Sequence, residues 1–250
     1  EAADYFLRKQ HRSTGISQAE KIKIAVKSLG LDDLAPFKPE ERIIEYLIGS
    51  ADSFPLLAKN LREFSDETAS ESPAPGGGSI AAYSGALGTA LSTMVANLSA
   101  NKRGWDDRWE EFSDWADKGQ TYHSQLLALV DADTAAFNGI MDAYGLPKSS
   151  EDQKLARSNA IQAATKHAIE IPMQVAEIAH NALEVAEAMA QLGNPNSITD
   201  AGVGAMCIRT AVLGAILNAR VNTADLNDTE FVSLTLARCS ELVSSTISRE

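Results

Sequence analysis

The sequence predicts an all-α fold: a helical bundle of long, mostly antiparallel helices with small-residue helices at its core. Three observations carry that prediction. From Ser79 almost to the C-terminus, apolar residues recur at steps of three and four, and no window alternates as a half-buried strand does. Aromatics make up only 6% of the 250 residues while Ala and Leu abound, and the sixteen glycines and eight prolines cluster as breakers instead of scattering. With 44% apolar and 22% charged residues, the chain has enough apolar surface to bury a core.

Residues 1–47 have their own character. They open with the basic run Arg8-Lys9-Gln10-His11-Arg12, followed by a helix capped at Ser17, with Glu20 at the capping-box position and Gly30 as its stop. A short helix then starts around Pro39. This piece has too few apolar residues to fold alone and reads as the C-terminal remnant of an upstream domain. The opening on Glu1 likewise reads as a chain cut from something longer, and Glu-Ala-Ala-Asp is wrong for a signal peptide. A linker at 48–55, around Gly49-Ser50-Ala51-Asp52-Ser53, leads to a second unit at 56–250. There the pattern predicts an amphipathic helix at Leu56–Phe64, a polar connector at Ser65–Ser72 and a turn at Pro73–Gly78. Helices follow at about 79–101, 106–118, 120–145, 151–191 with a bend near Pro172, 198–222 and 228–248.

Composition also excludes. Thirty-four acids against twenty-two bases give a formal charge of −12, which argues against nucleic acid as a partner. Residues 72–101 carry no charge but are built from Gly, Ala, Ser and Thr and include Asn97, so they read as a helix buried among helices and not as a membrane span. Cys207 and Cys239 lie far apart, and the four histidines lack ligand spacing; this fits a reduced, cytoplasmic protein with no metal site. Glycines 85, 88, 202, 204 and 214 fall inside two helices, where each costs about 1 kcal/mol relative to alanine. Close backbone approach, to another helix or to a ligand, would offset that.

Four constellations bear on chemistry. Pro75-Gly76-Gly77-Gly78-Ser79 lacks the lysine of a phosphate loop, but it feeds a helix N-terminus, capped at Ser79, whose free amides suit an anion or a polar ring edge. It serves equally as a tight turn admitting a small-residue helix to the core. In Leu129-Val130-Asp131-Ala132-Asp133, Asp133 falls in the apolar stripe Tyr122, Leu126, Val130, Phe137. Asp131 lies about 200° away, on a face with Thr134, Asn138 and Asp142 that is expected to be solvated. A partly desolvated Asp133 has a raised pKa and suits proton transfer near neutral pH; pairing with a base such as Arg209 is the structural alternative. Gly193-Asn194-Pro195-Asn196-Ser197-Ile198-Thr199-Asp200 breaks one helix and caps the next at Ser197 or Thr199, while Asn218 and Asn222 share a helix face at i, i+4. These amides suit either a heterocycle edge or inter-helix bonds. Lys102, Arg103, Arg108, Lys148, Lys154 and Arg157 are either solvated or the lining of an entrance for a polyanionic tail.

Together, Ser72–Ser79, Leu129–Asp133, Gly145-Leu146-Pro147-Lys148 and Gly193–Ser197 resemble the formiminotransferase-cyclodeaminase family, in the family's order, from about residue 56 onward. Residues 1–47, with Pro36–Leu47, resemble the end of that family's formiminotransferase domain. The resemblance implies a cytoplasmic ammonia-lyase of histidine breakdown and one-carbon metabolism, which closes 5-formiminotetrahydrofolate to 5,10-methenyltetrahydrofolate. It implies transferase activity absent from this chain, no cofactor beyond the folate substrate, and a homodimer or higher homo-oligomer formed through the helices. By the resemblance, Asp133 is the catalytic residue. Gly76, Gly77, Gly78, Ser79, Asn194, Asn196 and Asp200 are candidate pterin contacts, and Lys148 a candidate partner for a polyglutamate tail. The alternatives are a methenyltetrahydrofolate cyclohydrolase on the same fold, or a non-catalytic helical dimerisation module.

Overall fold

A computed structural model describes residues 1–48 and 55–249; the expected linker at Gly49–Ser53 lies outside the described residues. The helices are α1 (Ala2–Lys9), α2 (Gln18–Ser28), α3 (Pro39–Arg42), α4 (Ile44–Ile48), α5 (Leu61–Thr68), α6 (Gly77–Ala100), α7 (Trp109–Gly145), α8 (Glu151–Leu192), α9 (Ile198–Asn222) and α10 (Thr229–Ser248), with no strand among the described residues. Ser17 caps α2 through the Glu20 amide, and Gly30 takes a positive φ just beyond its end. Pro39 stands in the first turn of α3.

The structure departs from the sequence reading in five elements. Helix α1 was not expected. The helix expected at Leu56–Phe64 starts at Leu61, because Asn60 and Glu63 close a capping box there, and it runs on to Thr68 through half of the expected connector. Gly119 does not divide α7: a side chain there would overlap the Thr93 hydroxyl, so the glycine marks a helix contact and not an end. Ser79 is not the cap of α6 but its third residue, the N-cap being Gly76. Ser197 occupies the N-cap of α9, but no side-chain cap bond forms there. In keeping with the sequence reading, Pro172 lies inside a single helix, α8.

Helices α6 to α9 form an antiparallel bundle. Gly78, Gly85 and Gly119 mark where α6 meets α7, facing Asp133, Leu126 and Thr93 in turn. Gly85, Gly88 and Gly214 mark where α6 meets α9; a Cβ on Gly88 would strike the Gly204 carbonyl. The small residues therefore let two backbones touch. The hydroxyls of Thr89, Ser92, Thr93 and Ser99 each donate to the carbonyl four residues back, so they enter the core already satisfied. One core cluster gathers Val130, Ile169, Val175, Ile208 and Val212; a second, beyond it, gathers Val95, Phe112, Val185 and Met189. Residues 195–225 are long and apolar enough to cross a membrane by length and composition, but α9 is packed against α6 and α8.

The N-terminal piece is attached by side chains as well as by the chain. Ser13 and Thr14 are buried. The Thr14 amide donates to Ser113 Oγ at 2.9 Å, its hydroxyl donates to Asp117, and Asn97 Nδ2 donates to the Gly15 carbonyl at 2.8 Å. His11 stacks on Trp109 with rings 3° from parallel.

Candidate active site

Asp133 lies on α7 where that helix passes the first turn of α6. Its carboxyl group rests on the backbone of Gly78, and a Cβ at Gly78 would overlap it. This explains one glycine of the triplet: only a residue without a side chain leaves room for the acid. Gly77 makes a second approach, its missing Cβ lying 3.2 Å from Asn218 Nδ2. The Ser79 hydroxyl sits 2.8 Å from the Val130 carbonyl, 3.1 Å from Asp133 Oδ2 and 3.2 Å from Thr134 Oγ1. A serine has one proton to donate, so these bonds tie α6 to α7 behind the acid without binding the carboxylate tightly. Burial pushes the Asp133 carboxyl above the ordinary carboxylate range, and hydrogen bonds from the Ser79 hydroxyl and amide pull partly the other way. No cation pairs with Asp133 among the described residues. Arg209, the partner considered from sequence, lines a separate hollow beside Leu183, Glu187 and Arg249.

The acid opens onto a cleft of about 180 Å³, lined by Pro73, Ala74, Gly76–Gly78, Asp133, Thr134, Ala136, Phe137, Ile140, Ala168, Asn218 and Asn222. It is smaller than the roughly 300–1,000 Å³ of pockets that hold a whole drug-sized ligand, and so accommodates a ring system better than an entire folate. The lining has three parts. The first turn of α6 contributes amides with no partner within the helix. Phe137, Ile140 and Ala168 give an apolar wall. Asn218 and Asn222 stand at the end of α9, and their amide nitrogens donate to backbone carbonyls: Asn218 Nδ2 to Gly214 at 2.9 Å, and Asn222 Nδ2 to Ala168 at 3.0 Å. The Ala168 carbonyl is available because the residue four positions on is Pro172, which has no amide hydrogen to offer it.

Asp131 corrects an expectation. It is buried, not solvated: its Oδ1 accepts from the Leu56 amide at 2.7 Å and its Oδ2 from the Leu57 amide at 3.3 Å. The turn at 55–58 lies across that face of α7, and its amides need an acceptor. The paired acids thus divide their work, Asp131 pinning a loop and Asp133 facing the cleft.

The other predicted residues separate. Gly76, Gly77 and Gly78 line the cleft, and Ser79 is fully buried behind it. Asn194, Asn196 and Asp200 are at the opposite end of the bundle. The Asn194 amide donates to Ser99 Oγ at 2.8 Å, and its side chain accepts from the Asn196 amide. Ser99 stands about 30 Å along α6 from Gly78 at 1.5 Å per residue, so within one chain these three residues do not reach Asp133. Lys148 is exposed on the α7–α8 turn, roughly 20 Å of helix beyond Asp133. Sequence reasoning did not connect Asn218 and Asn222 to Asp133, although a pair of amides in an apolar helix was a visible signal. For Ala168 there was none. Among the described residues no group of three His, Cys, Asp or Glu side chains is placed to hold a metal ion.

Known proteins resemble the chain over this same architecture. A family described as Formiminotransferase-cyclodeaminase matches residues 60–241, and one described as Formiminotransferase domain matches residues 1–49. Formimidoyltransferase-cyclodeaminase of Rattus norvegicus is 37% identical over 91% of this chain and 42% of its own length. This chain therefore spans less than half of that relative. A methenyltetrahydrofolate cyclohydrolase of Methylorubrum extorquens is 36% identical over 69% of the chain and 83% of its own length. The crystal structure of a formiminotetrahydrofolate cyclodeaminase from Thermotoga maritima superposes with a TM-score of 0.69 at 28% identity, covering 78% of this chain and 93% of that one.

Proposed function

Because the chain belongs to the formiminotransferase-cyclodeaminase family, we propose that it is a formiminotetrahydrofolate cyclodeaminase, converting 5-formiminotetrahydrofolate to 5,10-methenyltetrahydrofolate and ammonia. The observation that carries this reading is Asp133: a carboxyl group seated on Gly78, unpaired with any cation among the described residues, raised in pKa by burial, and open to a ring-sized cleft.

Starting from the protonated formimino group, N10 attacks the formimino carbon and a new N10–C bond forms. The Asp133 carboxylate takes the proton from N10 and delivers it to the former imino nitrogen. That C–N bond then breaks, ammonia leaves, and the methenyl cation remains. One group serves as base and then as acid, which a carboxyl of elevated pKa suits. The attack is intramolecular, so the cleft contributes by holding N10 beside the carbon. The balance requires no metal and no redox partner.

The same reading covers the finer points. Leu87, Met94 and Leu98 of α6 and Val203, Met206 and Leu217 of α9 leave an apolar face exposed on adjacent helices. We propose that a second copy covers it, giving a homodimer. Antiparallel pairing about the middle of α6 would carry the turn with Asn194, Asn196 and Asp200 of the second copy toward the cleft, where those residues would meet the pterin. Lys148, on its distant turn, would meet a polyglutamate tail and not the ring. The place of work would be the cytoplasm, in histidine degradation.

The experiment follows products. Purified protein incubated with 5-formiminotetrahydrofolate should release ammonia as methenyl absorbance rises; no ammonia above the uncatalysed rate refutes the assignment. The cyclohydrolase reading is favoured by one observation, the relative of that name, most of whose own length is matched. It predicts faster hydration of the methenyl compound than ammonia release.

A further inference from the structure

Asn218 and Asn222 were visible in the sequence, yet the proposed chemistry gives them no task. Each has its amide orientation fixed from outside the cleft. A carbonyl oxygen can only accept, so the nitrogen of Asn218 must face Gly214 and the nitrogen of Asn222 must face Ala168. Among the described residues neither amide oxygen accepts a hydrogen bond, and neither is sealed from the cleft. At i, i+4 their Cβ atoms stand about 5–6 Å apart on one side of α9. The cleft wall formed by α9 is therefore made of hydrogen-bond acceptors. Donors come from the first turn of α6 beside Asn218, where the Gly77 and Gly78 amides have no partner within the helix.

For Asn222 the arrangement depends on a proline. Without an amide hydrogen at Pro172, the Ala168 carbonyl has no partner in α8. Asn222 supplies the donor, and in doing so turns its oxygen away from α8.

We infer that Asn218 and Asn222 are specificity-determining residues, whose amide oxygens accept the N–H groups on the edge of a 2-amino-4-oxopyrimidine ring. This inference rests on the cyclodeaminase reading, and it names which part of the folate faces which wall. That edge offers two kinds of donor, the exocyclic amine and the adjacent ring N–H, as two free acceptors require. The neighbouring ring carbonyl is left for a donor such as an α6 amide. Phe137 and Ile140 offer apolar surface to the ring. A ring lacking the amine would leave an acceptor desolvated and unpaired, and sites of this kind discriminate strongly.

The test is a ratio. For wild type, Asn218→Ala and Asn222→Ala, kcat/KM for ammonia release is measured on 5-formiminotetrahydrofolate and on its 2-desamino analogue. Wild type should prefer the amino compound by about tenfold or more, and each variant should lose most of that preference. The ratio is taken within one preparation, so a partly folded sample still reports it; Asn218→Ser replaces the alanine variant if that one does not fold. Equal preference in wild type and both variants, or none in wild type, overturns the inference while ammonia release leaves the deaminase reading standing. Absence of ammonia release from wild type removes that reading, and this inference with it.

Discussion

The two ends of α6 show how one helix can serve two purposes. At its C-terminal end most polar groups have met one another, Asn97 Oδ1 being buried without a partner. Ser99 Oγ donates to Val95 O and accepts from the Asn194 amide, the Asn194 side chain accepts from Asn196, and Asn97 holds Gly15. At its N-terminal end, some 30 Å away, Asp133 has no cation partner and two asparagine oxygens have no donor among the described residues, and Gly76–Gly78 line a cleft. Both ends are rich in small and hydroxyl residues, although the glycines of the helix all fall in its first half. What separates a scaffold from a site here is whether the uncommitted hydrogen-bonding groups line an open cleft, as those beside Asp133 do, or are sealed inside the fold, as Asn97 Oδ1 is.

The comparison is broken most directly at the acid. Asp133→Asn should fold and lose ammonia release by about 10²–10⁴-fold, the usual contribution of a positioned acid–base group. Near-normal turnover in a steady-state ammonia assay would mean that the open end of α6 has no catalytic role. Gly78→Ala comes next. Its methyl overlaps the seat of the carboxyl group and displaces it without removing it. Misplacement on that scale costs about 10²-fold, read in the same assay, with circular dichroism unchanged.

At the other end the effect should move from rate to stability. Gly15→Ala drives a methyl into Ala116 and its backbone. Overpacking of this kind costs about 1–3 kcal/mol, and urea unfolding should show it, while turnover per folded molecule holds. A loss of turnover equal to that of Gly78→Ala would erase the distinction between the ends.

The smallest expected effect sharpens the comparison from the stability side. Burial raises the Asp133 pKa in the folded state above its ordinary value of 3.8. The native state then binds a proton more tightly than the unfolded chain, so stability falls as pH rises through that interval and stays reduced above it. Asp133→Asn removes the ionisation. Its melting temperature should exceed that of wild type at pH 7, and the gap should close as pH falls below the ordinary carboxylate range. A gap that widens on acidification would mean that the carboxylate is stabilised in the fold.

Much of this was legible in the residues. The all-α class followed from period and breakers, and Asp133 was singled out because a carboxylate interrupted an apolar stripe. The failures have physical causes. Asp131 looked solvated because helix phase says nothing about a turn from seventy-five residues earlier folding across that face. Gly119 looked like a break because a helix contact and a helix end both favour glycine. Asn194, Asn196 and Asp200 are a different case: within one chain connectivity carries them to the far end, and only a second copy would bring them to the cleft. Whether two polar clusters meet is decided by topology, which local pattern does not encode.

Pro172 has a consequence for anyone wishing to make this protein tougher. Proline in a helix interior costs about 3 kcal/mol or more, and a heat-resistance screen would favour alanine at that position. The gain would come with a rival donor for the Ala168 oxygen, leaving Asn222 free to swing. Thermal robustness and chemical fidelity thus compete for a single carbonyl, and selection for the first alone would erode the second without touching any group that meets the reacting atoms.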